Sequence, residues 1–511
     1  MQLWPLLELS QFSNRSLSLA EAADFSVTPT QLLLGLLLPS AQSGHELVIY
    51  LGLIPLLLAP FGVTRANRWS WFYAGLVGLA VLFALGPTTP VHALFYFFVP
   101  GFGWVRTPTR IFLVISLAVA VLVGFGVDRL AKQHWSAKTL RWLTRLAVAV
   151  GAIALLVGLG LAVGFGQTNR AVFALMLVIP LGLAVIVLWS RRVLSNRLAM
   201  IVLGLLLVID LASFDQSMLR FVSLEEALAP GRPAAEYLAQ QPGLFRVYSP
   251  SYSLPMQTAA AAKLYLADGV EPVHLAAYDQ FIARAGGYND PGFSVTIPNF
   301  GDGPLESALQ GVEPNLKLLG LLNVEYLAAA FPMNWPGLIP ETEVNGVFIY
   351  RNAYALPRSW VAHRSVPAES DWLAQLEELS LYVGSTVLVE FNDPSFQPTT
   401  LGAAPTSAQI INYSANRFEV ETLIAEPGWL VLSEIWYPGW QATVNGQPQP
   451  VVRVDGLLRG VYLAQPGQNQ VTLEYRPKSV AWGGWISGLT LVGLVLIGLV
   501  ATWANRSSPR N

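Results

Sequence analysis

The chain of 511 residues contains no cysteine. That absence removes disulfides, thiolate metal sites, iron–sulfur clusters and cysteine nucleophiles together. Histidine is nearly as scarce: His45, His92, His134, His274 and His363 are scattered with no ligand spacing such as H-E-x-x-H, so a metal site built on imidazoles is not expected. Charge is depleted as well. Only 12% of residues are Asp, Glu, Lys or Arg, about half the share of an ordinary soluble chain. Thirty basic against 32 acidic residues leave a net charge of −2, which excludes the broad basic face of a nucleic-acid binder. The first 45 residues have no basic head followed by an apolar run, so they do not read as a signal peptide. What is abundant is apolar. Fifty-three per cent hydrophobic residues with 43 Gly and 16 Trp describe an integral membrane protein.

Crossing a bilayer takes roughly 20 apolar residues, with about 17 as a working minimum. Seven stretches qualify, near 46–63, 69–85, 111–130, 143–166, 171–189, 198–214 and 480–504. A further apolar piece at 91–100 is too short and reads as interfacial or re-entrant. Basic residues are retained on the cytoplasmic side. One set of alternate loops, with the tail, holds twelve of them: Arg65 and Arg68; Arg129, Lys132, Lys138, Arg141 and Arg145; Arg191, Arg192 and Arg197; Arg506 and Arg510. The opposite short loops hold three, Arg106, Arg110 and Arg170. This asymmetry predicts a multi-pass cell-membrane protein with the N-terminal segment and the long stretch between the sixth and seventh spans outside, and the C-terminus in the cytoplasm. Trp69, Trp71, Trp189, Trp482, Trp485 and Trp503 fall near span ends, as an aromatic belt requires.

The expected organisation is therefore an external segment over 1–45, six spans over 46–214, an external α/β part over 215–383, an external β-sandwich over 384–478 and a closing helix over 480–504. In the α/β part, 233–241 reads as a helix opened by Pro233, and 245–248, 323–328 and 347–350 read as strands. Breakers at 289–292 and 300–304 mark loops. Six short strands within 418–475 indicate an antiparallel sandwich, and Asn445-Gly446 suits a two-residue hairpin turn because both positions tolerate positive φ. An external N-terminal segment without a leading helix leads to a further expectation, that the chain is the C-terminal part of something longer or works with a partner that supplies the preceding spans.

Three passages stand out: Gln2-Leu3-Trp4-Pro5 with Glu8-Leu9 and Ser13-Asn14-Arg15; Pro100-Gly101-Phe102-Gly103-Trp104-Val105-Arg106-Thr107-Pro108-Thr109-Arg110 before a span ending Gly126-Val127-Asp128; and Trp436-Tyr437-Pro438-Gly439-Trp440 with Val444-Asn445-Gly446, Arg459 and Tyr475-Arg476-Pro477. Together they resemble the YfhO-type bacterial membrane proteins. The order of parts is similar to that family's C-terminal half. The resemblance implies a cell-envelope, glycosyltransferase-like protein that handles a polyprenyl-phosphate-linked sugar at the outer face, with an envelope glycan or glycolipid as acceptor. The acidic residue expected as catalytic base in such transferases would lie upstream of Met1, so no catalytic residue is assigned.

Arg106 and Arg110 stand in a loop class that otherwise excludes basic residues, and guanidinium groups grip phosphate bidentately. The alternative is snorkelling to membrane lipid phosphates. Asp210 lies within the sixth span, where an ionisable group is a functional candidate by default. It could pair with Arg106 or Arg110 or hold a divalent cation beside a diphosphate; as a partly wet carboxylate near the span's end it would do neither. Glu8 and Asp24 could face the same substrate site, or be solvated loop residues. Asp128 with Arg129 reads as the end of a span. Trp436, Tyr437 and Trp440 offer flat faces for glycan stacking, though large aromatics in a sandwich more often fill its core. Gly301-Asp302-Gly303 is a weak glycine motif, and the pairs Gly160 and Gly164, and Gly484 and Gly488, fit close helix packing. Besides glycosyl transfer, two other classes of function fit: a non-catalytic, membrane-anchored glycan-binding or scaffold protein, and lipid-linked sugar transport, the weaker of the two because Asp210 is almost alone as a deep polar group.

Overall fold

In the computed structural model the chain is described over residues 3–13, 17–37, 48–164, 170–271, 273–289, 294–296, 298, 312–379, 384–390 and 404–507. It divides into two compact units, Ser16–Phe221 and a second made of Met1–Arg15 with Val222–Asn511. Of the described N-terminal residues, 3–13 belong to the second unit and 17–37 to the first, so the expected single segment over 1–45 is divided between them.

Four of the described helices are long and apolar enough to cross a membrane: Pro108–Lys132, Ala137–Val163, Asn196–Asp215 and Lys478–Val500. Leu53–Gly62, Arg68–Ala84 and Met176–Ser190 are apolar but shorter. The stretch expected to be helical from residue 46 starts its helix only at Leu53, because Gly52 at φ +86° turns the chain out of helical geometry. At a rise of about 1.5 Å per residue, ten residues reach only about half of the hydrocarbon thickness. The short piece near 91–100 is a nine-residue helix, Pro90–Phe98.

The helical unit is tightest where Leu53–Gly62 meets Phe112–Lys132. A Cβ at Gly62 would stand 2.0 Å from the Leu122 carbonyl oxygen, and one at Gly126 would stand 2.4 Å from that of Leu58. Only glycine lets these backbones approach so closely. Gly160 and Gly488, the expected close-packing positions, instead meet nothing within 4 Å in this chain. Arg129 closes the same helix pair, its Nη1 donating to the carbonyls of Phe61 and Val63 at 3.3 Å each, while Asp128 pairs with Lys132 at 3.2 Å. Trp69, Trp71, Trp482, Trp485 and Trp503 are all exposed, but Trp189 is not part of that belt. It is fully buried in the helical core beside Leu53 and Leu203, and its Nε1 donates to Asn196 Oδ1 at 2.9 Å, the internal partner an indole needs there.

The second unit is rich in sheet. A five-stranded sheet runs Tyr265–Leu266, Arg246–Tyr248, Val324–Ala329, Val347–Asn352, Leu338–Val344, the first three parallel and the rest antiparallel. The helix Arg232–Ala239 opens with Pro near its N-terminus, as its sequence predicts. A curled sheet of eleven strands follows. Its halves join where Ser359–Ala362 pairs with both Thr406–Ser414 and Gly428–Ile435. Between them lies a core that includes Phe418, Val420, Leu430, Leu432, Val461, Val471 and Leu473. Gly428–Ile435 has apolar residues on both faces for a reason: Leu430 and Leu432 enter this core, while Trp429 and Val431 enter a second core shared with the five-stranded sheet.

Strands occupy all six stretches expected within 418–475, and Asn445 and Gly446, at φ +51° and +81°, make the expected hairpin turn. The change from one sheet to the other falls between Asn352 and Ser359, earlier than residue 383. Ser359–Ala362 and Arg364–Pro367 are four-residue strands whose partners lie far along the chain, so local pattern gives no sign of their allegiance. The loops at 290–292 and 300–304, with Gly301-Asp302-Gly303, fall outside the described residues. Only Arg476 and Pro477 separate the strand Gly467–Tyr475 from the closing helix Lys478–Ser507.

Candidate functional site

Arg106 sits between two tight turns, Phe102–Trp104 and Pro108–Ile111. Thr107, with φ +71°, holds a backbone conformation uncommon for a β-branched residue. The loop is docked on residues 17–27 of the same unit. Leu17 N–H donates to Gly103 O at 3.2 Å, Tyr96 Oη to Leu17 O at 2.8 Å and Thr109 Oγ1 to Phe25 O at 2.9 Å. Arg106 Nη2 meets Asp24 Oδ2 at 3.0 Å, and its guanidinium lies 5.0 Å from the Phe25 ring centroid. The Arg106 side chain remains 30% exposed, and Arg110 is exposed. Sequence reasoning placed Arg106 and Asp24 in one candidate site, and they form a direct ion pair.

Asp210 is held elsewhere. Its carboxylate accepts hydrogen bonds from the Tyr50 hydroxyl and from Leu53 N–H at 2.7 Å, and the residue is 1% exposed. Leu53 is the first residue of its helix, so Asp210 satisfies an amide that has no acceptor within that helix and offers negative charge to the positive end of the helix dipole. The expected pairing of Asp210 with Arg106 gives way to this cap, and the partly wet carboxylate gives way to a buried one.

Glu8 lies in the helix Leu3–Leu9, which belongs to the sheet-rich unit. There Phe12 meets Trp436 and Tyr437 edge-on, with centroids 6.0 and 5.6 Å away. Burial first, then the Glu8 carboxylate, pushes the Tyr437 phenol up to about 12. Trp436, Tyr437 and Trp440 are half-buried. The Trp440 ring lies against Phe418 and Tyr475 at 5.3 Å each, with the Arg459 guanidinium 3.7 Å from its centroid. These contacts cover the rings with the chain's own groups.

Sequence reasoning missed the strongest electrostatic feature of the sheet-rich unit. Glu434 stands among three guanidinium groups. Arg358 Nε meets its Oε1 at 2.7 Å, Arg246 Nη2 its Oε2 at 3.5 Å, and Arg459 acts on it from further away. Tyr413 Oη donates to Glu434 Oε1 at 3.0 Å and accepts from Arg358 Nη2 at 2.8 Å. Arg358 is 4% and Arg459 7% exposed. Burial alone would push the Glu434 carboxyl up; the guanidiniums outweigh it and hold the carboxyl below its usual range. The one signal available in sequence was an Arg or Glu inside an otherwise apolar strand, as at Arg246, Glu434 and Arg459.

Two more carboxylates are buried with no cation paired to them among the described residues. Asp268 Oδ1 accepts from Ser249 N–H at 2.6 Å and Asp455 Oδ1 from Leu388 N–H at 2.9 Å, and burial pushes each up to about 7. An acid with a raised folded pKa keeps a proton that the unfolded chain, near 3.9, releases. Folding stability therefore falls as pH rises from about 4 to about 7 and stays low above that. Asp455→Asn keeps the acceptor for Leu388 and suits the φ of +48° at this position. We expect it to raise the thermal midpoint at pH 8, with the gain vanishing near pH 4 and roughly half of the pH slope remaining through Asp268. A variant less stable than wild type at pH 8 would refute the assignment.

Among the described residues no group of three or more His, Cys, Asp or Glu is arranged to hold a metal ion. No family model, curated protein or solved structure matches the chain.

Proposed function

We propose that this protein is a multi-pass protein of the cell envelope that handles a polyprenyl-phosphate-linked sugar at the external membrane face, with Arg106 and Arg110 binding the phosphate. The sheet-rich region stands outside, the C-terminus lies in the cytoplasm, and the four long apolar helices with the three shorter ones make about seven membrane-embedded segments, of which Leu53–Gly62 reaches only part of the way across. The observation that carries the reading is the state of Arg106. Asp24 and the Phe25 ring hold its guanidinium at partial exposure in the loop between the short helix Pro90–Phe98 and the span Pro108–Lys132. A side chain fixed in this way loses less entropy on binding than a free one. A phosphate then exchanges with, or bridges beside, the Asp24 carboxylate. A YfhO-like role in glycosyl transfer, with an envelope glycan or glycolipid as acceptor, fits this picture.

A second reading, a membrane-anchored protein that binds glycan without chemistry, is favoured by Asp210. Its carboxylate accepts from Tyr50 and from Leu53 N–H, a structural role as a helix cap rather than a chemical one.

The test is binding of a short-chain polyprenyl phosphate to the detergent-solubilised full chain. Arg106→Gln with Arg110→Gln should weaken binding at least tenfold and leave the thermal midpoint nearly unchanged, since an exposed pair such as Arg106 with Asp24 contributes about 0–1 kcal/mol. Equal binding by wild type and double variant sinks the proposal. So does equal competition by phosphatidylglycerol, which would make the two arginines lipid anchors.

A further inference from the structure

The sheet-rich unit contains an open cleft of about 790 Å³ between the five-stranded sheet and the strand Thr406–Ser414. This is within the size range of small-ligand sites, about 300–1,000 Å³. Its lining includes Arg358 and Tyr413 together with Gln409, Asn412 and the ion pair of Arg351 with Glu325, 3.3 Å apart. Arg358 and Tyr413 are also members of the buried cluster around Glu434, so the cleft wall is the outer face of that cluster.

The cluster's charge does not balance. Arg246, Arg358 and Arg459 share the single carboxylate of Glu434, a formal excess of two positive charges. Arg246 spends Nη1 on neutral oxygens of Leu322 and Ser433. Arg459 gives Nε to Ile435 O at 3.0 Å, and its Nη1 is buried without a hydrogen-bond partner. Buried positive charge left in excess is costly, and an anion in the cleft reaches that excess through Arg358, the member of the three that lines it, and reduces the cost. The rest of the lining points to the body of the ligand. Gln409 and Asn412 are exposed amides, each offering a donor and an acceptor as sugar hydroxyls require, while the Tyr413 ring is taken up by the Arg358 guanidinium, 5.5 Å from its centroid, and by Phe418.

We infer that this cleft binds an anionic saccharide, a glycan segment bearing carboxylates, with its charge drawn to Arg358 and its hydroxyls to Gln409 and Asn412. The inference is independent of Arg106 and Arg110, which lie in the other compact unit.

The experiment uses the full chain in nanodiscs, with tetragalacturonate, maltotetraose and inorganic phosphate as probes and calorimetric titration as readout. Tetragalacturonate should bind at least tenfold more tightly than either of the others. Ala353→Trp, at an exposed cleft residue, fills the space without removing a polar group, and Gln409→Glu adds a like charge for the ligand. Both should weaken tetragalacturonate binding at least tenfold without lowering the thermal midpoint, while the Arg106→Gln and Arg110→Gln double variant should bind as wild type does. The inference is overturned by equal affinity for maltotetraose, by phosphate binding as tightly as the saccharide, by no saccharide binding at all, or by Ala353→Trp binding normally. An acidic peptide that binds more tightly than tetragalacturonate also overturns it, by making the cleft a peptide site.

Discussion

Glu434→Ala is expected to unfold the sheet-rich region or lower its midpoint by many degrees. Among the described residues the carboxylate is the one negative group set among Arg246, Arg358 and Arg459, and it accepts from Tyr413 as well. Removing one partner of a buried ion pair typically costs about 3–5 kcal/mol, because the other is left charged and unpaired. Here three cations are left, against a total domain stability of about 5–15 kcal/mol. Glu434→Gln should cost less, since its amide oxygen still accepts from Arg358 and Tyr413. The pH dependence has a definite sign. A carboxyl whose folded pKa is depressed stabilises fully above its unfolded value near 4.3, and that stabilisation is lost as pH falls through the folded value. Wild type should therefore lose stability below about pH 4 in a way that Glu434→Gln does not. Thermal melts followed by tryptophan emission, with limited proteolysis of the region, read both effects. A Glu434→Ala midpoint within a degree of wild type would show that the cluster contributes nothing.

Asp210→Ala should produce the corresponding loss in the helical unit. The Tyr50 hydroxyl and Leu53 N–H would lose their shared acceptor in an apolar interior, each at a cost of about 1–3 kcal/mol, and the helix Leu53–Gly62 would lose its cap. Asp210→Asn retains an oxygen for Leu53 and should lose much less. If Asp210→Ala runs as a monodisperse peak in detergent and melts like wild type, Asp210 is not the staple between Asn196–Met218 and the start of Leu53–Gly62.

Much of this was legible in the amino-acid sequence, for reasons of period and length. The apolar runs that became Pro108–Lys132, Ala137–Val163, Asn196–Asp215 and Lys478–Val500 are visible because a membrane-crossing helix needs a long uninterrupted run, whatever its neighbours. The strands from Arg417 to Tyr475 are visible because alternation and turn residues such as Asn445-Gly446 are local. Arg106 and Asp24 were both picked out, although their pairing was not.

What only the tertiary structure decided is which distant groups meet. Tyr50 and Asp210 are 160 residues apart, Arg246 and Ser433 187 apart, and nothing in the spacing of either pair signals contact. The same holds for Gly62 and Gly126, ordinary apolar-run glycines until two backbones press together on them, and for Trp189, a plausible belt residue until Asn196 gives its indole a partner inside the core. Sequence by itself determined the class of protein and most of its regular elements, since hydropathy and turn chemistry act over a few residues. The charge cluster and the cleft above it exist only because chain closure brings together strands from two sheets, and electrostatic pairing depends on that distance in space rather than on distance along the chain.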